Sequence, residues 1–293
     1  MRVSLASPCK VNLILNILGK RPDGFHELET VMQPVPLHDG LHFETASHSV
    51  ALTCDHPDLP TGPDNLVHRA ATAFLAEAGI TGGVRIHLEK RIPMAAGLGG
   101  GSGNAATTLL GLNQLFGQPL KAQQLHALAA ALGSDVPFFL QTNPALATGR
   151  GEKVESLETF PVLNQLALLL IHPGFGIATA WAYRELARFP EALQGRPGRA
   201  RHLISLLRQG DLRAASAEFY NSLEAPALNK YPVLGLYQEF LKAHGAVASL
   251  MSGSGSTTFA LIPTVSQARE VEDQFKARFG TAGWTAVVAL SGT

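Results

Sequence analysis

The sequence predicts an α+β protein in two lobes. Three observations carry that expectation. Strand-like and helix-like segments interleave without the regular strand–helix–strand period of a doubly wound sheet. The length, 293 residues, is at the upper edge of one domain and comfortable for two. Around residues 150–164 the composition turns polar ("GRGEKVESLE"), which suggests a boundary near residue 155 and lobes of 1–155 and 156–293.

The elements follow in order. Residues 11–18 ("VNLILNIL") alternate, so Val11, Leu13, Leu15 and Ile17 share one face of a strand, and Lys10, Asn12, Ile14 and Asn16 the other. "RPDGFH" is a turn: proline fixes one dihedral and glycine supplies a positive φ. Further strands are expected at 28–32, 41–45 and 50–53. Residues 64–79 read as a helix capped by Asp64 or Asn65 and closed by Gly79. In "GVRIHLEKRIP", Val84, Ile86 and Leu88 alternate with Arg85, His87 and Glu89, the pattern of a half-buried strand. Helices are expected from Asn104 to Phe116 and from Lys121 to Leu132, the second stopped at Gly133. The second lobe reads as strand 166–171, helix 179–188, an exposed loop at 194–201, and two or three helices to Gly245. Strands 246–251 and 257–262, helix 266–279 and strand 284–290 close the chain. No internal repeat or low-complexity tract is visible.

Composition removes several function classes. With 46% hydrophobic and 16% charged residues the chain can bury a sizeable core. Lys plus Arg and Asp plus Glu are both 23, and this zero net charge argues against nucleic acid and against polybasic membrane attachment. Cys9 and Cys54 form no C-x-x-C pair, which suits a reducing compartment. The histidines show no paired metal-ligand spacing, so no dedicated protein metal site is expected. "LASPC" at residues 5–9 lacks an apolar region before it and fails as a lipoprotein signal. The longest aliphatic run, "LALLLI", is too short to span a bilayer. A soluble, cytoplasmic protein is expected.

The chemistry is concentrated at "PMAAGLGGGSGNAA", residues 93–106. It fits neither familiar phosphate fingerprint: no lysine lies between Arg91 and Leu120, and G-x-G-x-x-G fails in every register. Its context is nevertheless that of an anion site. A strand leads into bare backbone and then a helix, so unpaired N–H groups and the helix dipole converge. Ser102 and Asn104 add short polar side chains. The alternative is a close backbone crossing or a flexible linker. "MSGSGSTTFAL" (residues 251–261) is a second Gly/Ser turn, with a tight hairpin as its plain reading. "GSDVPFF" (133–139) sets an acid beside a helix break, where an N-cap is the plain reading.

Five segments together resemble the GHMP kinase family, named for galactokinase, homoserine kinase, mevalonate kinase and phosphomevalonate kinase. They are "PCKVNL" (8–13), "DGFH" (23–26), "PMAAGLGGGSGNAA" (93–106), "GSDVP" (133–137) and "SGSGS" (252–256), in the family's order and spacing. The resemblance implies the two-lobed GHMP kinase fold, with an N-terminal lobe like ribosomal protein S5 domain 2 and a ferredoxin-like C-terminal lobe that closes the substrate cleft. It implies transfer of the γ-phosphoryl of ATP, with Mg²⁺, to a hydroxyl. "DGFH" points to the branch whose acceptor is the 2-hydroxyl of a methylerythritol unit joined through a diphosphate to cytidine, on the non-mevalonate route to isoprenoid precursors. Homoserine- or mevalonate-type kinases, or a non-catalytic nucleotide-binding relative, are the alternatives.

Carried over residue by residue, the resemblance makes Asp135 the general base and Lys10 the charge stabiliser beside it. ATP would be held by Pro93, Met94, Ala95, Ala96, Gly97, Leu98, Gly99, Gly100, Gly101, Ser102, Gly103 and Asn104, with Asn65 on the adenine side. Asn12 would lie near the acceptor, and Phe25, His26 and Tyr183 would clamp cytosine. Each has a plainer reading: a solvated strand-edge lysine for Lys10, turn packing for Phe25 and His26, core packing for Tyr183, a helix cap for Asn65. Four departures stand out. Cys9 replaces a common alanine and reads as core filler, Gly103 replaces a frequent serine, Phe25 replaces tyrosine and loses an O–H, and Ser256 replaces a frequent proline and changes little chemically.

Overall fold

The computed structural model describes residues 1–290; residues 291–293, the end of the expected second lobe, lie outside the described residues. The chain forms two compact units. One comprises Met1–Cys9, Leu37–Ile92 and Gly99–Thr142; the other comprises Lys10–Pro36, Pro93–Leu98 and Asn143 onward. Each draws on separate stretches, whereas the composition shift alone points to the contiguous halves 1–155 and 156–293. Two long strands, β1 (Arg2–Lys20) and β2 (His26–Ala46), contribute to both units.

The first unit holds the start of β1 and the end of β2. It adds β3 (Val50–Cys54), α1 (Leu66–Glu77), β4 (Gly83–Glu89), α2 (Gly100–Leu115), α3 (Ala122–Leu132) and a 3₁₀ turn at Pro137–Leu140. β3 runs parallel to β4, and β4 antiparallel to β2 with Leu41 opposite Leu88 and Phe43 opposite Ile86. The expected alternation holds: Val84, Ile86 and Leu88 are buried while Arg85 and His87 are exposed. α1 buries Val67, Ala70, Ala71, Phe74 and Leu75, the spacing of one helical face. α1, α2 and α3 pack on one another. Phe43, Phe74, Ile86, Leu88, Leu109 and Leu112 are fully buried, each worth about 1.5–3 kcal/mol of transfer free energy.

The second unit holds the end of β1, the start of β2 and residues 93–98. Then follow β5 (Ala145–Gly149), β6 (Lys153–Ser156), β7 (Ala167–His172), α4 (Thr179–Glu185), α5 (Pro190–Leu193), α6 (Arg199–Gln209), α7 (Leu212–Glu218), β8 (Tyr220–Asn221), α8 (Glu224–Lys230) and α9 (Val233–Ala243). β9 (Ala248–Met251), β10 (Thr258–Ile262), α10 (Val265–Phe279) and β11 (Trp284–Ala289) complete it. β11-β7-β10-β9 is an antiparallel sheet on which α9 and α10 pack. Leu169, Ile171, Ala260, Ile262, Val271 and Phe275 form its core.

Several elements differ from the sequence reading. The strands expected at 28–32 and 41–45 are one strand, β2. Its first stretch pairs with β5 through Leu28–Met32 and its last with β4 through Gly40–Ala46. Pro34 and Pro36 fall between the two, on an edge that neither β5 nor β4 pairs at those residues. The polar stretch near residue 150 contains the β5–β6 hairpin, turned by Gly149 and Gly151 at positive φ. The helix expected over 179–188 changes to a 3₁₀ turn at Leu186–Arg188. The loop expected over 194–201 gives way to α6 at Arg199, and four helices rather than two or three lead to Gly245.

Candidate active site

Strand parity places Lys10 and Asn12 on one face of β1. Lys10 is not a solvated strand-edge lysine: it is buried at 3% exposure. A buried ammonium needs partners. Its Nζ donates to Asn12 Oδ1 (2.6 Å) and to the Gly97 carbonyl (3.2 Å). Asn12 is fixed in turn, donating from Nδ2 to Thr30 Oγ1 (2.8 Å), whose hydroxyl donates to the Ile14 carbonyl (2.6 Å). Thr30 belongs to this chain of bonds, although nothing in the sequence pattern marks it. Cys9 is fully buried, as expected of core filler.

The carbonyls of residues 96–98 are consumed inside the second unit. Ala96 accepts from Thr257 N (3.1 Å), Gly97 from Ser252 Oγ (3.0 Å) as well as Lys10, and Leu98 from Lys10 N (3.0 Å). The "SGSGS" turn does join β9 to β10 as a hairpin, and it also packs backbone to backbone on Gly97. A Cβ at Gly97 would lie 2.0 Å from the Ser252 carbonyl, and one at Gly253 would lie 2.9 Å from the Gly97 carbonyl and 3.3 Å from Lys10 Nζ. Asn221 holds this turn from beneath, donating to the Met251 (2.8 Å) and Gly253 (2.7 Å) carbonyls. The close-crossing reading is therefore correct for Gly97.

In the first unit, α2 starts at Gly100 after Gly99, whose φ of 70° is left-handed, and no side chain caps it. Among the described residues, the N–H groups of Gly97 to Ser102 have no acceptor within the protein. Acceptors turned inward and donors left unpaired are what an anion-binding segment requires. Gly101 is exposed, with only a Leu66 methyl 3.7 Å from where its Cβ would be. Gly103 faces the other way: a Cβ there would lie 2.4 Å from the Pro8 carbonyl, so bare backbone is a packing requirement at 103. Asn104 also points inward, its Nδ2 donating to Ser7 Oγ and Asp39 Oδ2 (both 2.9 Å). Asn65 caps α1, accepting from Val67 N (2.8 Å) while its Nδ2 donates to the Pro60 carbonyl (2.7 Å).

Asp135 is half-buried in the first unit. The 3₁₀ turn that follows it is flanked by Val136, which supplies no side-chain cap, and Pro137 takes its first position. Lys10 and Asp135 thus belong to different units.

In the second unit the His26 and Tyr183 rings come together, centroids 5.1 Å apart and tilted by 36°. Tyr183 also packs against the buried cluster of Leu15, Leu28 and Leu186, so the core reading accounts for part of its surface. Burial, with a smaller contribution from Lys20, pushes the His26 imidazole below its ordinary value and keeps it neutral at neutral pH. Phe25 is 51% exposed, and the Arg150 guanidinium lies 4.6 Å from its ring centroid. Arg150 carries no motif in the sequence. Among the described residues no cluster of three or more His, Cys, Asp or Glu could hold a metal ion, and no helix is long and apolar enough to cross a membrane.

An uncapped helix opening on a glycine-rich segment, with a buried lysine on a separate strand bound to that segment's carbonyl, accords with the GHMP kinases as a class. The family's N-terminal domain matches residues 65–143 and its C-terminal domain residues 203–281. A 4-diphosphocytidyl-2-C-methyl-D-erythritol kinase of Synechococcus sp. is 41% identical over 92% of this chain and 88% of its own length. One of Pelotomaculum thermopropionicum is 40% identical over 94% of both chains. A crystal structure of 4-(cytidine 5'-diphospho)-2C-methyl-D-erythritol kinase superposes with a TM-score of 0.79 at 35% identity, covering 98% of this chain and 99% of that one. A homoserine kinase from Cytophaga hutchinsonii shares the fold at 20% identity, with a TM-score of 0.75 over 98% and 93% of the two chains. The chain belongs to the 4-diphosphocytidyl-2-C-methyl-D-erythritol kinase family of GHMP kinases.

Proposed function

We propose that the chain transfers the γ-phosphoryl of ATP to the 2-hydroxyl of 4-diphosphocytidyl-2-C-methyl-D-erythritol, in the cytoplasm, on the non-mevalonate route to isoprenoid precursors. The observation that carries this reading is the buried Lys10 ammonium, bonded at once to Asn12 and to the carbonyl of Gly97. Phosphoryl transfer needs alignment and neutralisation of charge more than covalent chemistry. The unpaired N–H groups of residues 97–102, the start of α2 and the Ser102 hydroxyl would take the triphosphate, with Mg²⁺ arriving on it as part of the co-substrate. Asp135 would accept the hydroxyl proton, and Lys10 would stabilise the charge on the acceptor oxygen. Phe25 and Tyr183 offer ring faces for cytosine, and the neutral His26 offers a hydrogen bond to the base. Gly103 and Asn104 would shape the loop from within, and Asn65 would act through its cap on α1.

The test is incubation with ATP, Mg²⁺ and the cytidyl-methylerythritol substrate, read by mass spectrometry. Gain of one phosphate is expected. Asp135→Ala should lower the rate by about 10²- to 10⁴-fold, the usual worth of a general base, with the fold intact by circular dichroism. Phosphorylation of homoserine or mevalonate in place of the cytidyl substrate would sink the assignment.

A further inference from the structure

We propose that Asp39 is a positioning residue for the glycine-rich loop, fixing with one buried carboxylate both the point where the loop begins and the helix into which it runs. The inference rests on the reading that this loop takes the triphosphate. Asp39 is 1% exposed, near the middle of the long strand β2. Its Oδ1 accepts from the backbone N–H groups of Arg91 (2.8 Å) and Ile92 (2.9 Å), the last two residues before Pro93. Its Oδ2 accepts from Asn104 Nδ2 (2.9 Å), in the second turn of α2, and pairs with the Lys90 ammonium. Four donors fill the acceptor capacity of a carboxylate, so the group is buried without an unmet demand. Asn104 extends the tie to Ser7 Oγ on β1.

The arrangement answers a specific difficulty. A run of glycines has the largest backbone freedom to lose on ordering, and it has almost no side chains of its own to hold it. A cradle of N–H groups favours an anion only if the groups are already aimed. Tying Arg91 and Ile92 on one flank, and Asn104 on the other, to a single rigid group restricts the segment without placing a side chain in it. Asp39 also makes a second buried cation tolerable. Lys90 Nζ lies 3.3 Å from where a Cβ on Gly100 would be, close to the positive end of α2, and its own side chain is only 5% exposed. Without the carboxylate, that ammonium and the helix dipole would repel across the first turn.

Asp39→Asn keeps the shape but sets an amide against Lys90 and Asn104, which both donate. Asn104→Ala removes the two hydrogen bonds of that amide, to Asp39 and to Ser7, and leaves the Asp39–Lys90 pair in place, so it keeps the fold if the first variant does not. Both should raise the Kd and KM for ATP by about tenfold or more, the scale expected when a positioned group is displaced. CDP binding and the KM for the cytidyl substrate should stay within about twofold. Calorimetric titration of each variant with ATP and with CDP, beside steady-state kinetics, reads this split. ATP affinity equal to wild type in a folded variant overturns the assignment, and so does an equal loss of both ligands. If the unsubstituted protein itself bound no ATP, the phosphate-loop reading would fall first and this inference with it. Wild-type binding with unchanged variants would remove only the role of Asp39.

Discussion

At the scale of the residue, Lys10 shows how burial changes the meaning of a side chain. An exposed lysine at a strand edge has no particular consequence, but one at 3% exposure must be compensated. The compensation here is itself specific: Asn12 is oriented by Thr30 so that its Oδ1, not its amide nitrogen, meets the ammonium. Lys10→Met keeps the aliphatic stem and removes the charge. It should lower kcat by about 10²- to 10³-fold, as loss of an aimed charge does elsewhere, while the Kd for CDP, measured by titration, stays near wild type. A kcat within a fewfold of wild type would remove Lys10 from the chemistry. The two-residue parity of β1 made the shared face of Lys10 and Asn12 legible in the sequence. The directions of Asn65 and Asn104 were not, because an asparagine that caps or braces looks the same in sequence as one that binds a ligand. Arg150, Asp39 and Lys90 were also beyond reach, since their partners lie far along the chain and no periodicity links them.

At the scale of the element, the glycine loop and α2 separate two uses of glycine that composition merges. Gly97 and Gly103 are required by backbones that pass close to them, whereas Gly101 faces open space. Opposite outcomes are therefore expected from the same substitution. Gly103→Ala should destabilise the protein by about 1–3 kcal/mol, the usual cost of overpacking. Gly101→Ala should stabilise it by about 0.5–1 kcal/mol through helix propensity, yet weaken ATP, because a methyl group then stands beside the unpaired N–H groups. Chemical denaturation and ATP titration of the two variants check both halves. Equal stability changes would show that the loop does not have these two faces. A side chain at position 103 cannot be accommodated here without movement of Pro8, which gives Gly103 a physical cause. The continuity of β2 lay hidden for a related reason: Pro34 and Pro36 resemble breakers, yet they lie in the stretch between Met32 and Gly40 where one edge of the strand passes from β5 to β4. β8, two residues long, offers no pattern to read.

At the scale of the whole molecule, the α+β class and the closing sheet with α10 were legible because α10 buries one helical face through Ala268, Val271 and Phe275, while β7, β9 and β10 are short runs buried throughout. The partition into units did not follow. β1 and β2 each contribute to both, so a boundary drawn where the composition turns polar falls on a hairpin instead. One buried group ties global stability to pH in a way composition could not suggest. Glu224, at the start of α8, accepts at Oε1 from Met251 N and from Gln238 Nε2 (both 2.6 Å), which leaves Oε2 to carry a proton. Burial pushes its carboxyl up to about 7, against smaller opposing effects from those two hydrogen bonds and from Lys242. A folded value above the unfolded one means that the neutral group stabilises the fold. That contribution is full below about pH 4.5 and is lost as pH rises through about 7. The shift corresponds to roughly 3 kcal/mol at most. For a chain of this size that is on the order of 5–10 °C in Tm. Glu224→Gln keeps the Oε1 acceptor for both donors and cannot ionise. Between pH 5 and pH 8 the wild-type Tm should therefore fall by several degrees more than that of the variant. The comparison cancels every other titrating group the two proteins share. Parallel Tm profiles from calorimetry would show that Glu224 is already ionised in the native protein, with its charge met by Lys242.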